Sequence, residues 1–291
     1  MSNERGHTVR EQESVCVVDL AGRVANLEAN LRRSLPWFDK SPEQTGRIAI
    51  VGSGPSVRSR LALLRGWEGE IWAVNGAYDY LLGEGITPQG FWGIDPLPGL
   101  ADYVRNARSA TTFYIAGTCD PVVLDALAGQ NVKLWFPLCD DAIYPKGCLV
   151  VNGGTGVLSR APCAAWLAGW RDITVFGADS SFDEEAEQRY CYRDGTYVED
   201  SQADLQFVDI GGEIFITEIN LIKQVSVFAV MQTQFAKMGA RLSFDCDGLL
   251  AAFLKAEVHE IDEHGTVTGP NADWFYGTDR NQAAGDHRPD L

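Results

Sequence analysis

The run Ile48-Ala49-Ile50-Val51 breaks abruptly into Gly52-Ser53-Gly54-Pro55-Ser56, and a helical pattern (Val57, Leu61, Leu64) follows at once. An apolar strand that feeds a glycine turn and then a helix commits the chain to an α/β unit, with the helix folded back on a sheet. The same turn is an anion site, because the first N–H groups of a helix lack internal partners and its dipole favours negative charge there. Gly52 and Gly54 permit close backbone approach, and Ser56 is placed to cap the helix. A nucleotide phosphate suits this chemistry. The motif is not a Walker loop, since no Gly-Lys-Ser/Thr follows. It also lacks the third glycine of the dinucleotide fingerprint, with Arg58 and Ser59 standing where it would fall. A tight strand-to-helix turn that binds nothing would use the same residues.

From residue 47 the chain alternates short apolar runs with helical stretches. Strands are expected at 47–51, 70–74, 90–94, 112–115, 132–136 and 173–176, with helices at 57–65, 77–82, 100–107, 121–128 and 156–168. This alternation implies a Rossmann-like α/β fold, a mostly parallel sheet flanked by helices. Beyond Asp179 a lid-like insertion and a β-hairpin (205–210, Gly211-Gly212, 213–217) follow the last core strand, then a helix at 218–238, a strand at 241–244 and a helix at 248–256. An amphipathic helix is expected at 15–35 and a linker at 36–46. The organisation is thus a tail and packing helix (1–46), a main domain (47–258, with lid and hairpin at 180–217) and a loose C-terminal tail (259–291), whose Trp274, Phe275 and Tyr276 could dock on the body.

Composition narrows the partners. Forty acidic residues against 24 basic ones give a net charge of -16, which disfavours a nucleic-acid backbone or an anionic membrane surface. The seven cysteines are scattered, with no Cys-x-x-Cys pair, and the four histidines form no ligand cluster; neither zinc nor haem is expected, and the thiols read as reduced core residues. The polar N-terminus is unlike a signal peptide and no apolar run is long enough to span a bilayer, so a cytoplasmic protein is expected. Self-association is left open.

In an open parallel sheet, ligands bind beyond the carboxyl ends of the strands. Those ends carry Gly52-Ser53-Gly54-Pro55-Ser56, Asn75-Gly76, Asp95-Pro96, Asn152-Gly153-Gly154-Thr155-Gly156 and Gly177-Ala178-Asp179-Ser180. The two glycine-rich turns supply N–H groups and hydroxyls for phosphate oxygens. Asn75 offers a donor and an acceptor to a ribose or base edge. Asp95 and Asp179 suit a sugar hydroxyl, Mg²⁺ or a general base, and equally a turn or a cap. In the acidic loop that follows, Tyr190 and Tyr192 could reach phosphates and Arg189 or Arg193 could neutralise them; a solvated loop fits the same residues. His259 and His264 read as surface residues, and Asp245-Cys246-Asp247-Gly248 as a helix cap before a metal or substrate site. On this reading Gly54→Val should abolish nucleotide binding without unfolding the protein, and Asp179→Asn should impair catalysis more than donor binding.

These residues together resemble the MptE-like superfamily, which takes in archaeal 6-hydroxymethylpterin diphosphokinases and motility-associated flagellin glycosyltransferases. They are also similar to bacterial sialyltransferases that use CMP-activated sugars. The resemblance runs from about Arg47 to Phe182 and rests on the Gly-x-Gly-Pro-Ser turn, Asn75, Asp95-Pro96, Gly154-Thr155-Gly156-Val157 and Gly177-x-Asp179. It implies that the glycine turn, Asn75 and Thr155 contact a donor nucleotide. It implies that Asp95-Pro96 stands where the sialyltransferases carry Asn-Pro, and that Tyr190 and Tyr192 steady a leaving phosphate. No histidine matches the sialyltransferase base before His259, and the kinases' Asp-rich metal motif and His-Gly-Asp element are not evident. Three functions follow: glycosyl transfer from a CMP-type sugar, Mg²⁺-dependent pyrophosphoryl transfer from ATP to a pterin-like acceptor, or nucleotide binding without catalysis. The acceptor is not named by these residues.

Overall fold

All four residues of β1 (Ile48–Val51) are fully buried. A strand that is apolar on both faces belongs at the centre of a parallel sheet covered by helices. The structure, a computed structural model, describes residues 18–138, 144–154, 156–183, 189–191, 205–210 and 212–255. The expected features at Cys16, Cys139, Thr155, residues 184–188, Tyr192, Arg193, His259, His264 and the aromatic tail lie outside the described residues.

A first helix, α1 (Leu20–Leu31), precedes the sheet. After β1 come α2 (Val57–Arg65), β2 (Glu70–Val74), α3 (Ala77–Gly83), β3 (Gly90–Gly93), a 3-10 helix (Pro98–Val104), β4 (Thr112–Ala116), α4 (Pro121–Ala126), β5 (Asn131–Pro137) and β6 (Val150–Val151). Then follow α5 (Val157–Leu167), β7 (Asp172–Phe176), the hairpin β8 (Leu205–Ile210) and β9 (Glu213–Glu218), α6 (Ile219–Lys237), β10 (Arg241–Asp245) and α7 (Gly248–Lys255). The main sheet has the order β10-β7-β1-β2-β3-β4-β5-β6, every pairing parallel. The chain therefore steps outward from β1 to β6, returns through α5, and lays β7 on the other side of β1. Among the described residues no helix is long and apolar enough to cross a membrane.

Four differences from the sequence reading have physical causes. The first helix ends at Leu31 rather than 35, and Ser34 takes a left-handed φ of 54°; a residue just before Pro36 is driven away from helical geometry, so the helix must end short of it. The expected linker at 36–46 joins the sheet. Phe38 N–H donates to Leu134 O at 2.7 Å, Leu134 N–H donates to Pro36 O at 2.9 Å, and Trp37 makes a parallel bridge to Leu134. The helix expected at 100–107 is a 3-10 helix begun by Pro98, a form suited to short connections. Finally, β6 is only two residues long, too short for any periodic signal.

The face of the sheet beneath that N-terminal segment is aromatic. Trp92 stacks on Tyr114 with centroids 4.5 Å apart, and Phe38 meets both rings edge-on at 5.2 and 5.7 Å. Helix α1 is tied to the carboxyl edge by two asparagines one turn apart. Asn30 Nδ2 donates to Gly117 O (3.0 Å) and Cys119 O (2.7 Å), and Asn26 Nδ2 to Thr118 O (3.2 Å). The residues before β1 are thus part of the core, where Leu27 and Phe38 are 4% exposed. Phe38→Ala removes a ring that anchors the segment and is expected to lower stability by about 3 kcal/mol, read as a shifted urea midpoint; a change under about 1 kcal/mol would mean that the segment is peripheral.

Candidate functional site

Strand order reverses between β1 and β7, and the crevice beyond their carboxyl ends is where an open sheet of this type binds ligands. Here two chain crossings are laced together. Gly52 N–H donates to Phe176 O (2.8 Å) and Gly54 N–H to Gly177 O (3.0 Å). A Cβ on Gly54 would overlap Asp179 Oδ2 and lie 2.6 Å from Gly177 O; one on Gly52 would lie 2.6 Å from Leu158 Cδ2. These glycines let one backbone pass against another. The expectation that Gly54→Val leaves the fold intact is therefore corrected: any side chain there pushes into the β7 turn.

Asp179 sits in the middle of this crossing, 4% exposed. Ser56 N–H donates to its Oδ2 at 2.8 Å, the Ser56 hydroxyl donates to its Oδ1, and Asp247 N–H donates to Oδ1 at 3.1 Å. Helix α2 has no acidic residue in its first turn, and Ser56 makes no side-chain cap. A carboxylate from 123 residues away supplies the negative charge that a helix N-terminus favours. Burial pushes the Asp179 carboxyl above the usual carboxylate range, while the bonds from Ser56 pull it down. Arg60 holds the neighbouring turn: its guanidinium reaches both carboxylate oxygens of Asp247 (2.6 and 2.7 Å), and its Nε donates to Asp245 Oδ1 at 3.0 Å. The stretch Asp245-Cys246-Asp247 thus serves to present an N–H to Asp179.

The second glycine turn converges on the same place. Gly156 is the N-cap of α5, and a Cβ on it would lie 3.8 Å from Gln224 Nε2, on α6. Ser180 Oγ donates to Gln224 Oε1 at 3.3 Å. Asn152 Oδ1 accepts from Gly153 N–H at 2.7 Å, and Gly154, with φ +87°, packs on Ser159. Ser180 takes a positive φ of 55°; its carbonyl accepts from the Thr217 hydroxyl at 2.7 Å.

Residues 189–191 lie across the β1 turn. Cys191 N–H donates to Ser53 O (2.8 Å), and Arg58 Nε donates to Cys191 O (2.9 Å). The Arg189 guanidinium stands 5.2 Å over the Tyr190 ring and pairs with the buried Glu218 at 2.6 Å. Burial, then nearby Cys191, push the Tyr80 hydroxyl up, while Arg58 draws it down. One strand further, Asn75 has φ +45° and its N–H donates to Trp92 O at 3.2 Å. Its Oδ1 is shielded from solvent with no hydrogen-bond partner. Asn75 thus combines a left-handed backbone with a buried side-chain acceptor that no protein donor meets. Asp95 is half-buried at the end of β3, its Oδ1 accepting from Leu97 N–H at 2.9 Å; the adjoining Pro96 O accepts from Asn26 at 3.4 Å.

The structure therefore gathers Gly52, Ser53, Gly54, Pro55, Ser56, Gly154, Gly156, Asp179 and Tyr190 at the ends of β1 and β7, with Asn75 and Asp95 on the next strands. Asn152 stands on the approach to α5. Sequence reasoning missed Arg58, Arg60, Gln224 and Glu218, because each lies inside an amphipathic helix pattern or at a strand end with no motif around it. Among the described residues no three His, Cys, Asp or Glu side chains stand close enough to hold a metal ion.

A family model described as 6-hydroxymethylpterin diphosphokinase MptE-like matches residues 23–185. Among solved structures, the chain is similar to the MAf glycosyltransferase from Magnetospirillum magneticum AMB-1, with a TM-score of 0.59 and 16% identity over 81% of this chain. The match covers 38% of that larger chain, and at this identity the likeness is one of fold. No curated protein matches.

Asp179→Asn turns one acceptor into a donor aimed at other donors and is expected to cost about 2 kcal/mol of stability, read as a lowered Tm. The folded-state pKa of Asp179 is raised, so its favourable contribution is complete below the unfolded carboxylate value and fades as pH rises through the folded one. The Tm gap between wild type and variant should therefore narrow as pH is raised from about 4. A gap that widens would mean that the carboxyl titrates below its unfolded value.

Proposed function

The chain belongs to the MptE-like family, and on that premise we propose that it is a transferase that binds a nucleotide-activated donor at the carboxyl ends of β1, β2 and β3. The reaction proposed is glycosyl transfer from a CMP-type sugar to an acceptor. The observation that carries the reading is Asn75, whose strained backbone and unpaired Oδ1 suit an acceptor for a ribose hydroxyl or a base amine. The fold likeness to a glycosyltransferase adds support for the reaction class.

In this reading Gly154, Thr155 and Gly156 cradle the donor phosphate with N–H groups and a hydroxyl, while Gly52, Ser53, Gly54 and Pro55 form the wall against which it rests. The Tyr190 hydroxyl, with Tyr192, donates to the departing phosphate, and Arg58 offsets its charge. Asp95 accepts from a sugar hydroxyl or takes the acceptor's proton, and Pro96 fixes its backbone. Asp179 with Ser56 acts as a positioning pair, because a carboxylate already accepting three hydrogen bonds is poorly placed to serve as base or metal ligand. Positive charge develops at the anomeric carbon as the bond to phosphate lengthens, and donors fixed around the phosphate favour that separation.

A second reading is pyrophosphoryl transfer from ATP to a hydroxymethylpterin-like acceptor, favoured by the family description. Magnesium is held through one or two carboxylates together with the phosphates. Asp95, half-buried with one backbone partner, fits that demand; Asp179 does not.

A thermal-shift comparison of CMP, CTP, ATP and GTP, each with Mg²⁺ and with EDTA, separates the readings. Stabilisation by CMP or CTP that survives EDTA is the expected result, whereas stabilisation by ATP only with Mg²⁺ would move the assignment to the diphosphokinase. Asn75→Ala should weaken nucleotide binding about tenfold with an unchanged or higher Tm. Unchanged affinity would remove Asn75 from the site.

A further inference from the structure

The chain contains two Asn-Gly steps, Val74-Asn75-Gly76 and Val151-Asn152-Gly153, both at the carboxyl end of a strand. In such a step the glycine nitrogen can attack the side-chain carbonyl carbon of the asparagine, because the glycine has no Cβ to shield that nitrogen. The two sequences are alike, so what separates them is the structure around each.

At Asn152 the reacting groups already face each other. Gly153 N–H donates to Asn152 Oδ1 at 2.7 Å, and Oδ1 is one C=O bond from Cγ, so the nitrogen stands within about 4 Å of the carbon it would attack. That is near the separation from which bonds form. Among the described residues, Oδ1 is the only acceptor that this N–H meets. Gly153 belongs to no helix or strand, and its φ of +131° is one that glycine adopts without strain. A Cβ there would lie 2.7 Å from Ser159 O, so the residue after Asn152 must be glycine. Asn152 itself is half-buried, within reach of water. Asn75 is arranged against the same chemistry. Its N–H donates to Trp92 O at 3.2 Å, and its carbonyl accepts from Tyr78 N–H at 3.1 Å. Gly76 is fixed at the start of α3, its carbonyl accepting from Tyr80 N–H at 3.3 Å. Asn75 Oδ1 is shielded from solvent and meets no donor, so the Gly76 N–H is not aimed at it.

We propose that Asn152 is a site of spontaneous deamidation and isomerisation, a chemical clock on the turn that leads into α5. The Gly153 nitrogen loses its proton to base and forms a bond to Asn152 Cγ. The bond from Cγ to Nδ2 breaks, and Nδ2 takes up a proton and leaves as ammonia. Water then opens the cyclic imide: addition at the former side-chain carbonyl leaves aspartate, and addition at the main-chain carbonyl leaves isoaspartate. Nothing is oxidised or reduced, and water is the only co-reactant. Either product places a negative charge just ahead of Gly153 and Gly154, and isoaspartate also lengthens the main chain by a methylene. The consequence for function rests on the donor site proposed above, where such a charge repels phosphate; the modification itself does not.

The test incubates the whole protein at neutral and at mildly alkaline pH and maps both Asn-Gly peptides by mass spectrometry, with isoaspartate scored by enzymatic methylation. Conversion at Asn152 is expected to exceed that at Asn75 by at least about tenfold, because Asn75 reacts only after its hydrogen bonds open. It should quicken as pH rises and more of the amide nitrogen is deprotonated. In urea, where both steps are unfolded, the two rates should become equal. Equal rates in the folded protein overturn the proposal, as does an Asn152 that stays intact when folded and reacts in urea. A second arm reads the consequence. The aged fraction, separated by its added negative charge, should lose the thermal shift that a nucleotide gives the fresh protein, and so should Asn152→Asp. A shift kept in full by the aged fraction overturns the link to the donor site. Fresh protein that no nucleotide stabilises overturns the donor reading instead, and the peptide map alone then decides the modification.

Discussion

The carboxylate of Asp179 placed against the amide and hydroxyl of Ser56 is the interaction on which the candidate site depends. It closes the point where the sheet changes direction, and it sets the distance between the glycine turn after β1 and the turn after β7. Three further features follow from it. Gly54 must lack a side chain because Asp179 Oδ2 fills the space a Cβ would take. The β10–α7 turn must present an N–H, which Arg60 arranges by holding Asp245 and Asp247. Ser180, next in the chain, is carried into a left-handed conformation that aims its hydroxyl at Gln224. A helix N-terminus that often receives a ligand anion here receives one from its own chain.

With the amide of Ser56 occupied by Asp179, the proposed donor contacts lie elsewhere along the carboxyl edge, at the start of α5 and, one and two strands from β1, at Asn75 and Asp95. The segment 189–191 lies across the β1 turn, bonding Ser53 through Cys191 and taking a bond from Arg58. Glu218, at the base of the hairpin, fixes that segment through Arg189. The hairpin is therefore joined to the site through that ion pair, through the Thr217 hydroxyl on Ser180 O and through Phe182 N–H on Ile216 O.

Much of the fold was legible in the sequence, and the reasons are local. Continuous apolar runs such as Ile48–Val51 and Ile71–Val74, broken by glycines and followed by helix-period stretches, mark parallel strands by themselves. The short elements were not legible. A two-residue strand at Val150–Val151 has no period, and the Pro36–Phe38 segment owes its place to backbone bonds with Leu134 and to Phe38 fitting the aromatic face, which no spacing rule detects. The geometry of the candidate site was half legible. Strand-end chemistry located Asn75, Asp95 and the two glycine turns, because topology alone brings such ends to one edge. The partnership between Ser56 and Asp179 was hidden, since a capping aspartate and a catalytic aspartate carry the same letter and differ only in what surrounds them. Arg58 and Arg60 were hidden likewise, because an arginine on the polar side of a helix gives no sign of which carbonyl or carboxylate it will meet.

The place of β7 in the sheet also bears on how the chain is made. Helix α2 and the inner edge of β1 are complete only when residues around Asp172–Phe176 and Asp179 arrive, more than a hundred positions later in synthesis. Until then a ribosome-bound chain presents β1 with one unpaired, wholly apolar edge, the kind of surface that recruits neighbouring nascent chains. Pairings of such long sequence separation form slowly. One edge of β1 is therefore paired, by β2, long before β7 is made to cover the other.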